Sequence, residues 1–110
     1  MTTVEIYRNV DKKIMAYKVC GHSGYAKVGK DIVCAAVSSI MQTAALGLGE
    51  VAKIEVKYTI KESYFECLLP QDLDSHKREQ ADIILETMIL GVKSFEEQYR
   101  KYIRIVEVEV

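Results

Sequence analysis

The sequence predicts an α+β fold with the element order ββαββαβ, in which two helices pack on one mostly antiparallel, mixed sheet. Two observations indicate the elements: segments of alternating apolar residues come in pairs joined by short polar turns, and two longer segments have apolar residues every three or four positions. No linker or low-complexity run interrupts the 110 residues. We therefore expect residues 1–110 to form a single domain with one core.

The first strand pair is predicted from Thr3 to Val10 and from Ile14 to Cys20, with a polar turn that makes it an antiparallel hairpin. The second pair is predicted from Lys53 to Lys61 and from Tyr64 to Leu69, and Pro70 ends it. In the first strand of each pair, the alternation predicts that the apolar residues face the core. These residues are Val4, Ile6, Val10, Ile54, Val56, Tyr58 and Ile60. A last strand is expected from Ile103 to Val110.

The first helix is predicted to follow Asp31, whose carboxylate suits an N-cap, and to end at Gly47 and Gly49. The second helix is predicted to start within residues 72–75, where Asp74 is a possible cap, and to run for about 25 residues by its apolar spacing. Its positively and negatively charged residues fall on the opposite face, as in an ordinary amphipathic helix.

The formal net charge of −1 argues against binding to nucleic acid or to anionic lipid. The apolar stretches meet a charged residue before the ~20 residues that a membrane span needs, and the first residues do not resemble a signal peptide. We therefore expect a cytoplasmic protein without membrane contact. The odd number of cysteines, 3, favours reduced thiols over a disulfide framework.

Residues 21–30 are the one segment that folding alone does not explain. Gly24, Gly29 and Lys30 match the start of a phosphate-binding loop, but Asp31 follows, where that motif needs a hydroxyl group to hold magnesium. A second alternative is a zinc site built from Cys20, His22 and Cys34. It lacks a fourth ligand unless Cys67 or His76 joins it, so we predict no metal and no cofactor.

A third interpretation makes Cys34 a nucleophile. The predicted cap places Cys34 in the first turn of the helix, where the partial positive charge favours a thiolate, and His22 is a base that titrates near neutral pH. A cysteine in an apolar helix is more often a small core residue, as we expect for Cys20 and Cys67. The residues alone leave both readings of Cys34 open, and we expect His76 to be solvated.

The motif around Cys34 resembles that of a known family. Gly21-His22, followed by Gly29-x-Asp31-Ile32-Val33-Cys34-Ala35-Ala36-Val37-Ser38, is similar to the signature of the ribosomal-processing cysteine proteases, the Prp family. The chain length, the element order and the end of the second helix, Glu96-Glu97-Gln98-Tyr99, also fit. Ser23 differs from the alanine that we would expect there.

The resemblance implies a cysteine endopeptidase that removes the N-terminal extension of large-subunit ribosomal protein L twenty-seven, after an apolar, aromatic-rich motif, so that the mature protein can enter the ribosome. It implies a Cys-His dyad, with Cys34 as nucleophile and His22 as general acid and base, and a homodimer. Asp31 would orient the site or cap the helix, and we favour the cap. The substrate-binding loop implied by the resemblance and the glycines contains Gly21, Ser23, Gly24, Tyr25 and Gly29. A ribosome-associated module that binds the same peptide without cutting it is the alternative.

Overall fold

The fold is taken from a computed structural model that describes residues 1–21 and 32–110. The secondary structure consists of five strands, two α-helices and a π-helical turn. Their bounds are β1 Thr2–Arg8, β2 Ile14–Cys20, α1 Ile32–Leu46, the π-helical turn Gly47–Val51, β3 Lys57–Lys61, β4 Tyr64–Leu68, α2 Ser75–Gln98 and β5 Ile103–Glu109. The predicted order ββαββαβ is confirmed.

The five strands form one sheet in the order β3-β4-β2-β1-β5. Three of the pairings are antiparallel, and β1 with β5 is the parallel one. The predicted mostly antiparallel, mixed sheet is therefore confirmed. The helix-facing side chains alternate with those on the opposite face, which we call the open face, so one side of the sheet forms the core and the other does not.

Both helices lie on the same side of the sheet and contact each other where Gly91 of α2 faces Ile40 of α1. Asp74 caps α2, because its side chain accepts a hydrogen bond from the backbone N–H of Lys77 at 2.8 Å. This confirms the predicted cap. The helices bury an apolar face on the sheet that includes Val33, Val37, Met41, Ala81, Leu85, Met88 and Val92.

The turn between β1 and β2 is fixed by Asn9, whose side-chain oxygen accepts from the backbone N–H groups of Asp11 and Lys13. This turn ends the first strand at Arg8, so the prediction that Val10 continues the strand and faces the core is wrong. Val10 lies in the turn and is 78% exposed. The apolar alternation continued by chance into a segment whose conformation the Asn9 side chain determines.

The prediction for the second hairpin is also partly wrong. Strand β3 begins at Lys57 rather than Lys53, because Lys53 has a positive φ of 58° and the N–H of Ile54 bonds to Leu48 in the π-helical turn. Ile54 is buried there, whereas Tyr58 and Ile60 are 60% and 57% exposed. They face the helix side of the sheet as predicted, but β3 is an edge strand that the helices do not cover.

The segment that contains α1 and the π-helical turn, Ile32–Val51, has one charged residue, Glu50, and is by length and composition long enough to cross a membrane. Its side chains give it another role, because Val37, Met41 and Leu48 are fully buried against the rest of the fold. Tyr17 of β2 also donates a hydrogen bond to the carbonyl of Met41 at 2.9 Å. The segment therefore has the packing of a core helix in a globular domain.

Candidate active site

The carboxyl end of β2 meets the amino end of α1 at Gly21. The Gly21 carbonyl accepts a hydrogen bond from the Cys34 thiol, with 3.6 Å between oxygen and sulfur. On its other side, the Gly21 N–H donates to the Ser63 carbonyl at 2.9 Å, in the turn between β3 and β4. One residue thus links the thiol to the sheet through its own backbone.

The position of Gly21 requires glycine for two reasons. Its φ of 83° lies in the left-handed region, where a side chain is strained. A Cβ atom at this position would also lie 2.7 Å from the carbonyl oxygen of Met1, which is closer than carbon and oxygen can approach. The carbonyl of Met1 therefore fills the space where a side chain at residue 21 would lie.

Cys34 is the third residue of α1 and is half-buried. The sequence prediction that Cys34 lies in the first helical turn is confirmed. The first backbone N–H groups of a helix have no intrahelical acceptor and carry a partial positive charge. Backbone N–H groups at the start of a helix can bind an oxyanion next to such a thiol.

The other two thiols have different surroundings. Cys67 is fully buried under the helices, as predicted, and burial raises the pKa of its thiol to about 11. Burial also raises the pKa of the neighbouring Tyr17. Cys20, which we expected in the core, is half-buried and points to the open face of the sheet, because its neighbour Val19 points to the helices. Neither residue has the helix-terminal position of Cys34.

Several predicted site residues lie outside the described residues, and their roles stay predictions. These are His22, Ser23, Gly24, Tyr25, Gly29, Lys30 and Asp31. Of the predicted site, the structure therefore brings together Gly21 and Cys34. Sequence reasoning missed the two residues next to Gly21, Ser63 and Met1. The Ser63 carbonyl accepts from the Gly21 N–H, and the Met1 carbonyl fills the space of a side chain at residue 21. Both act through backbone carbonyls, which carry no sequence signal.

The described residues give the predicted zinc site no fourth ligand, and its His22 lies outside them. Within residues 1–21 and 32–110, no group of three or more histidine, cysteine or acidic residues could hold a metal ion. Cys67 is buried in the core, and the exposed His76 starts α2 near Met15, at the opposite end of β2 from Cys20. The phosphate-loop motif follows β2, which has antiparallel neighbours on both sides, whereas that motif belongs to parallel sheets.

Known proteins resemble this chain in sequence. The family model "Cysteine protease Prp" matches residues 1–104. The ribosomal processing cysteine protease Prp of Bacillus subtilis is 31% identical over 107 residues, which cover 96% of each chain. The protein of the same name from Staphylococcus aureus is 29% identical over 108 residues, which cover 96% of this chain and 97% of that one.

Solved structures share the fold. The S. aureus protease Prp in complex with a covalently linked product peptide superposes with a TM-score of 0.85 at 24% identity, covering 97% of this chain and 99% of that one. SMU.848 from Streptococcus mutans superposes with a TM-score of 0.82 at 20% identity, covering 100% of this chain and 96% of that one. The match of the family model to almost the whole chain decides the assignment: this protein belongs to the Prp family of ribosomal processing cysteine proteases.

Proposed function

We propose that this protein is a cytoplasmic cysteine endopeptidase that removes the N-terminal extension of large-subunit ribosomal protein L twenty-seven, before that protein enters the ribosome. The observation that carries the proposal is the position of Cys34 in the first turn of α1, with its thiol against the carbonyl of Gly21. His22 follows Gly21 in the sequence, so this contact supports pairing of the thiol with the histidine. The names of the curated relatives support ribosomal processing.

In the first half of the proposed reaction, His22 takes the proton of the Cys34 thiol, and the thiolate attacks the scissile carbonyl carbon. The carbonyl oxygen becomes an oxyanion, which backbone N–H groups at the start of α1 stabilise. The carbon–nitrogen bond then breaks as His22 gives its proton to the leaving amine. The products of this step are the new N-terminus and a thioester on Cys34.

In the second half, His22 accepts a proton from water, and the resulting hydroxide attacks the thioester carbonyl. The carbon–sulfur bond breaks, and the extension leaves with a new carboxylate while Cys34 recovers its thiol. Both halves use side chains of the protein and water, so the reaction needs no cofactor. A homodimer is part of the proposal on family resemblance, and a peptide substrate is supported by the S. aureus Prp structure with a substrate peptide.

The test is cleavage of a peptide that spans the junction between extension and mature protein, followed by mass spectrometry. Wild type should release a new N-terminus at one bond. Cys34→Ala and His22→Ala should each lower the rate by at least about a thousandfold, as removal of a catalytic nucleophile or its base does in other proteases. Cys67→Ala is the matched control, because its thiol is buried away from Gly21, and it should cleave at the wild-type bond.

Retention of full activity by Cys34→Ala or His22→Ala would exclude the dyad. Binding of the peptide by wild type without any cleavage would instead support the non-catalytic peptide-binding module. The ribosomal substrate is tested separately by comparing the junction peptide with a peptide of the same composition in scrambled order. Equal cleavage of both would contradict a processing role at this extension.

A further inference from the structure

The antiparallel pair of β1 and β2 contains a β-bulge at Met15. The pairing shifts by one residue between Tyr7 and Arg8 of β1, and Met15 is the extra residue on β2. A bulge bends the strand locally and sets the direction of its side chain. The Met15 carbonyl also accepts a hydrogen bond at 3.0 Å from the N–H of Leu69, which follows β4. The position from which the Met15 side chain extends is therefore fixed.

Two side-chain N–H donors meet at the sulfur of Met15. The amide nitrogen Nδ2 of Asn9 lies 3.6 Å from Sδ, and Nη1 of Arg78 lies 3.8 Å from it. Asn9 is held in place because its side-chain oxygen accepts from the backbone of the turn between β1 and β2. Arg78 is held on α2 by Asp82, whose carboxylate accepts from Nε at 2.9 Å. Both donors are therefore fixed by contacts that do not involve the sulfur.

The sulfur is a poor match for these donors, because a thioether accepts hydrogen bonds only weakly. A further donor on the same guanidinium group, Nη2 of Arg78, is buried and has no acceptor within residues 1–21 and 32–110. A buried donor without an acceptor lowers the stability of a fold. The surroundings of Met15 thus contain more N–H donors than the thioether can satisfy, and an oxygen atom on the sulfur would supply the acceptor.

We propose that Met15 is a site of oxidation to methionine sulfoxide, with Asn9 and Arg78 binding the added oxygen. The oxidant is a peroxide. A lone pair of the sulfur attacks one oxygen of hydrogen peroxide, the oxygen–oxygen bond breaks, and the other oxygen leaves as water after a proton transfer. The sulfur is oxidised by two electrons and the peroxide is reduced by two. The sulfoxide oxygen is a stronger acceptor than the sulfur and is bonded directly to it.

The other three methionines have different surroundings. Met41 and Met88 are buried in the core, where a sulfoxide would place a polar group among apolar side chains. Met1 is 58% exposed, so that water would surround a sulfoxide there. Met15 is half-buried, and its sulfur has fixed donors from the turn and from α2. Oxidation of a methionine commonly loosens a fold, but at Met15 it should tie the turn more firmly to the helix.

The test treats wild type and Met15→Leu with hydrogen peroxide and then with a thiol reductant, and maps the sulfoxides by peptide mass spectrometry. Met15 should be converted together with the exposed Met1, whereas Met41 and Met88 should stay reduced. The melting temperature of wild type should then rise by about 4 °C relative to its untreated form, as one added net hydrogen bond does in a domain of this size. Met15→Leu is the control, because every other oxidation is common to both proteins, and it should show no rise.

Asn9→Asp separates binding of the oxygen from a general effect of polarity. Aspartate keeps the side-chain oxygen that accepts from the turn, but it replaces the Nδ2 donor with a second oxygen that repels a sulfoxide. Oxidation should therefore no longer raise the melting temperature of this variant. The proposal is overturned if Met15 stays reduced while Met1 is converted, or if oxidised wild type gains no more than Met15→Leu. An equal rise in Asn9→Asp would also contradict it.

Discussion

The two ends of the sheet are held by different means. At the end with the turn between β1 and β2, side chains make the connections: Arg8 bonds to Glu86 of α2, and Lys13 bonds to Asp82 of the same helix. At the end with the active site, Gly21 is held through its backbone, because its N–H donates to the Ser63 carbonyl and its own carbonyl accepts from the Cys34 thiol. Backbone support holds the strand end close to Cys34 without a side chain from Gly21.

The largest effect is expected from a change at the backbone-supported end. Gly21→Ala places a Cβ atom 2.7 Å from the Met1 carbonyl and a side chain on a residue with φ of 83°. We expect the free energy of unfolding to fall by about 1–3 kcal/mol. To relieve the close contact with Met1, residue 21 must shift, and its carbonyl then moves away from the Cys34 thiol. A displacement of about 1 Å lowers kcat/KM by about a hundredfold. Urea denaturation and peptide cleavage measure the two effects.

Gly91→Ala is the matched control for this substitution. A Cβ atom at Gly91 would lie 3.6 Å from Ile40, an ordinary van der Waals distance, and Gly91 is inside α2. Alanine should raise the free energy of unfolding by up to about 1 kcal/mol through its higher helix propensity, with kcat/KM unchanged. Wild-type kcat/KM in Gly21→Ala would show that the contact behind Gly21 does not position the thiol.

Much of this fold could be predicted from the sequence, because apolar periodicity records which face of an element is buried. The heptad-like spacing of α2 and the alternation of Val4 and Ile6 in β1 gave the correct elements and faces. The same rule failed for Val10, Tyr58 and Ile60. Alternation identifies a face of the strand, but whether another element covers that face depends on the strand's place in the sheet, which is a non-local property.

The site was predictable to a smaller extent. The position of Cys34 in the first turn of a helix followed from local sequence, and the structure confirms it. The surroundings of the contact between Cys34 and Gly21 come from distant parts of the chain. The Gly21 N–H donates to the carbonyl of Ser63, and the carbonyl of Met1 fills the space where a side chain at residue 21 would lie. Carbonyl groups occur at every residue, so no pattern of side chains could indicate which of them would meet at Gly21.

An intermediate effect is expected for Cys67, which lies in β4 between the two ends of the sheet. Its thiol is fully buried, whereas that of Cys34 is half-buried. The pKa of Cys67 is about 11 in the folded protein, against an ordinary value of 9.0. As the pH rises from about 9 to about 11, the unfolded chain loses this proton while the folded protein keeps it, so stability falls. The loss is at most about 2–3 kcal/mol.

The measurement is urea denaturation of wild type and Cys67→Val at pH 8 and pH 10.5, with a reductant present. Valine has no proton to lose, so the variant should lose less stability between the two pH values than wild type does. The comparison uses the difference between pH values within each protein, so any packing change from the substitution cancels. Parallel losses in both proteins would show that the thiol of Cys67 is not the group that resists ionisation.

The smallest effect is expected at the end held by side chains. Arg8 donates hydrogen bonds to Glu86 of α2, to Glu107 of β5 and to the carbonyl of Lys12. Arg8→Ala removes all three at a site that water partly reaches, so the free energy of unfolding should fall by only about 1–2 kcal/mol, and by less at high salt. Because the active site lies at the other end of the sheet, kcat/KM for the junction peptide should stay at the wild-type value below the melting temperature. A tenfold loss of kcat/KM in a folded Arg8→Ala protein would mean that the two ends are coupled, and that the backbone contacts at Gly21 do not position Cys34 on their own.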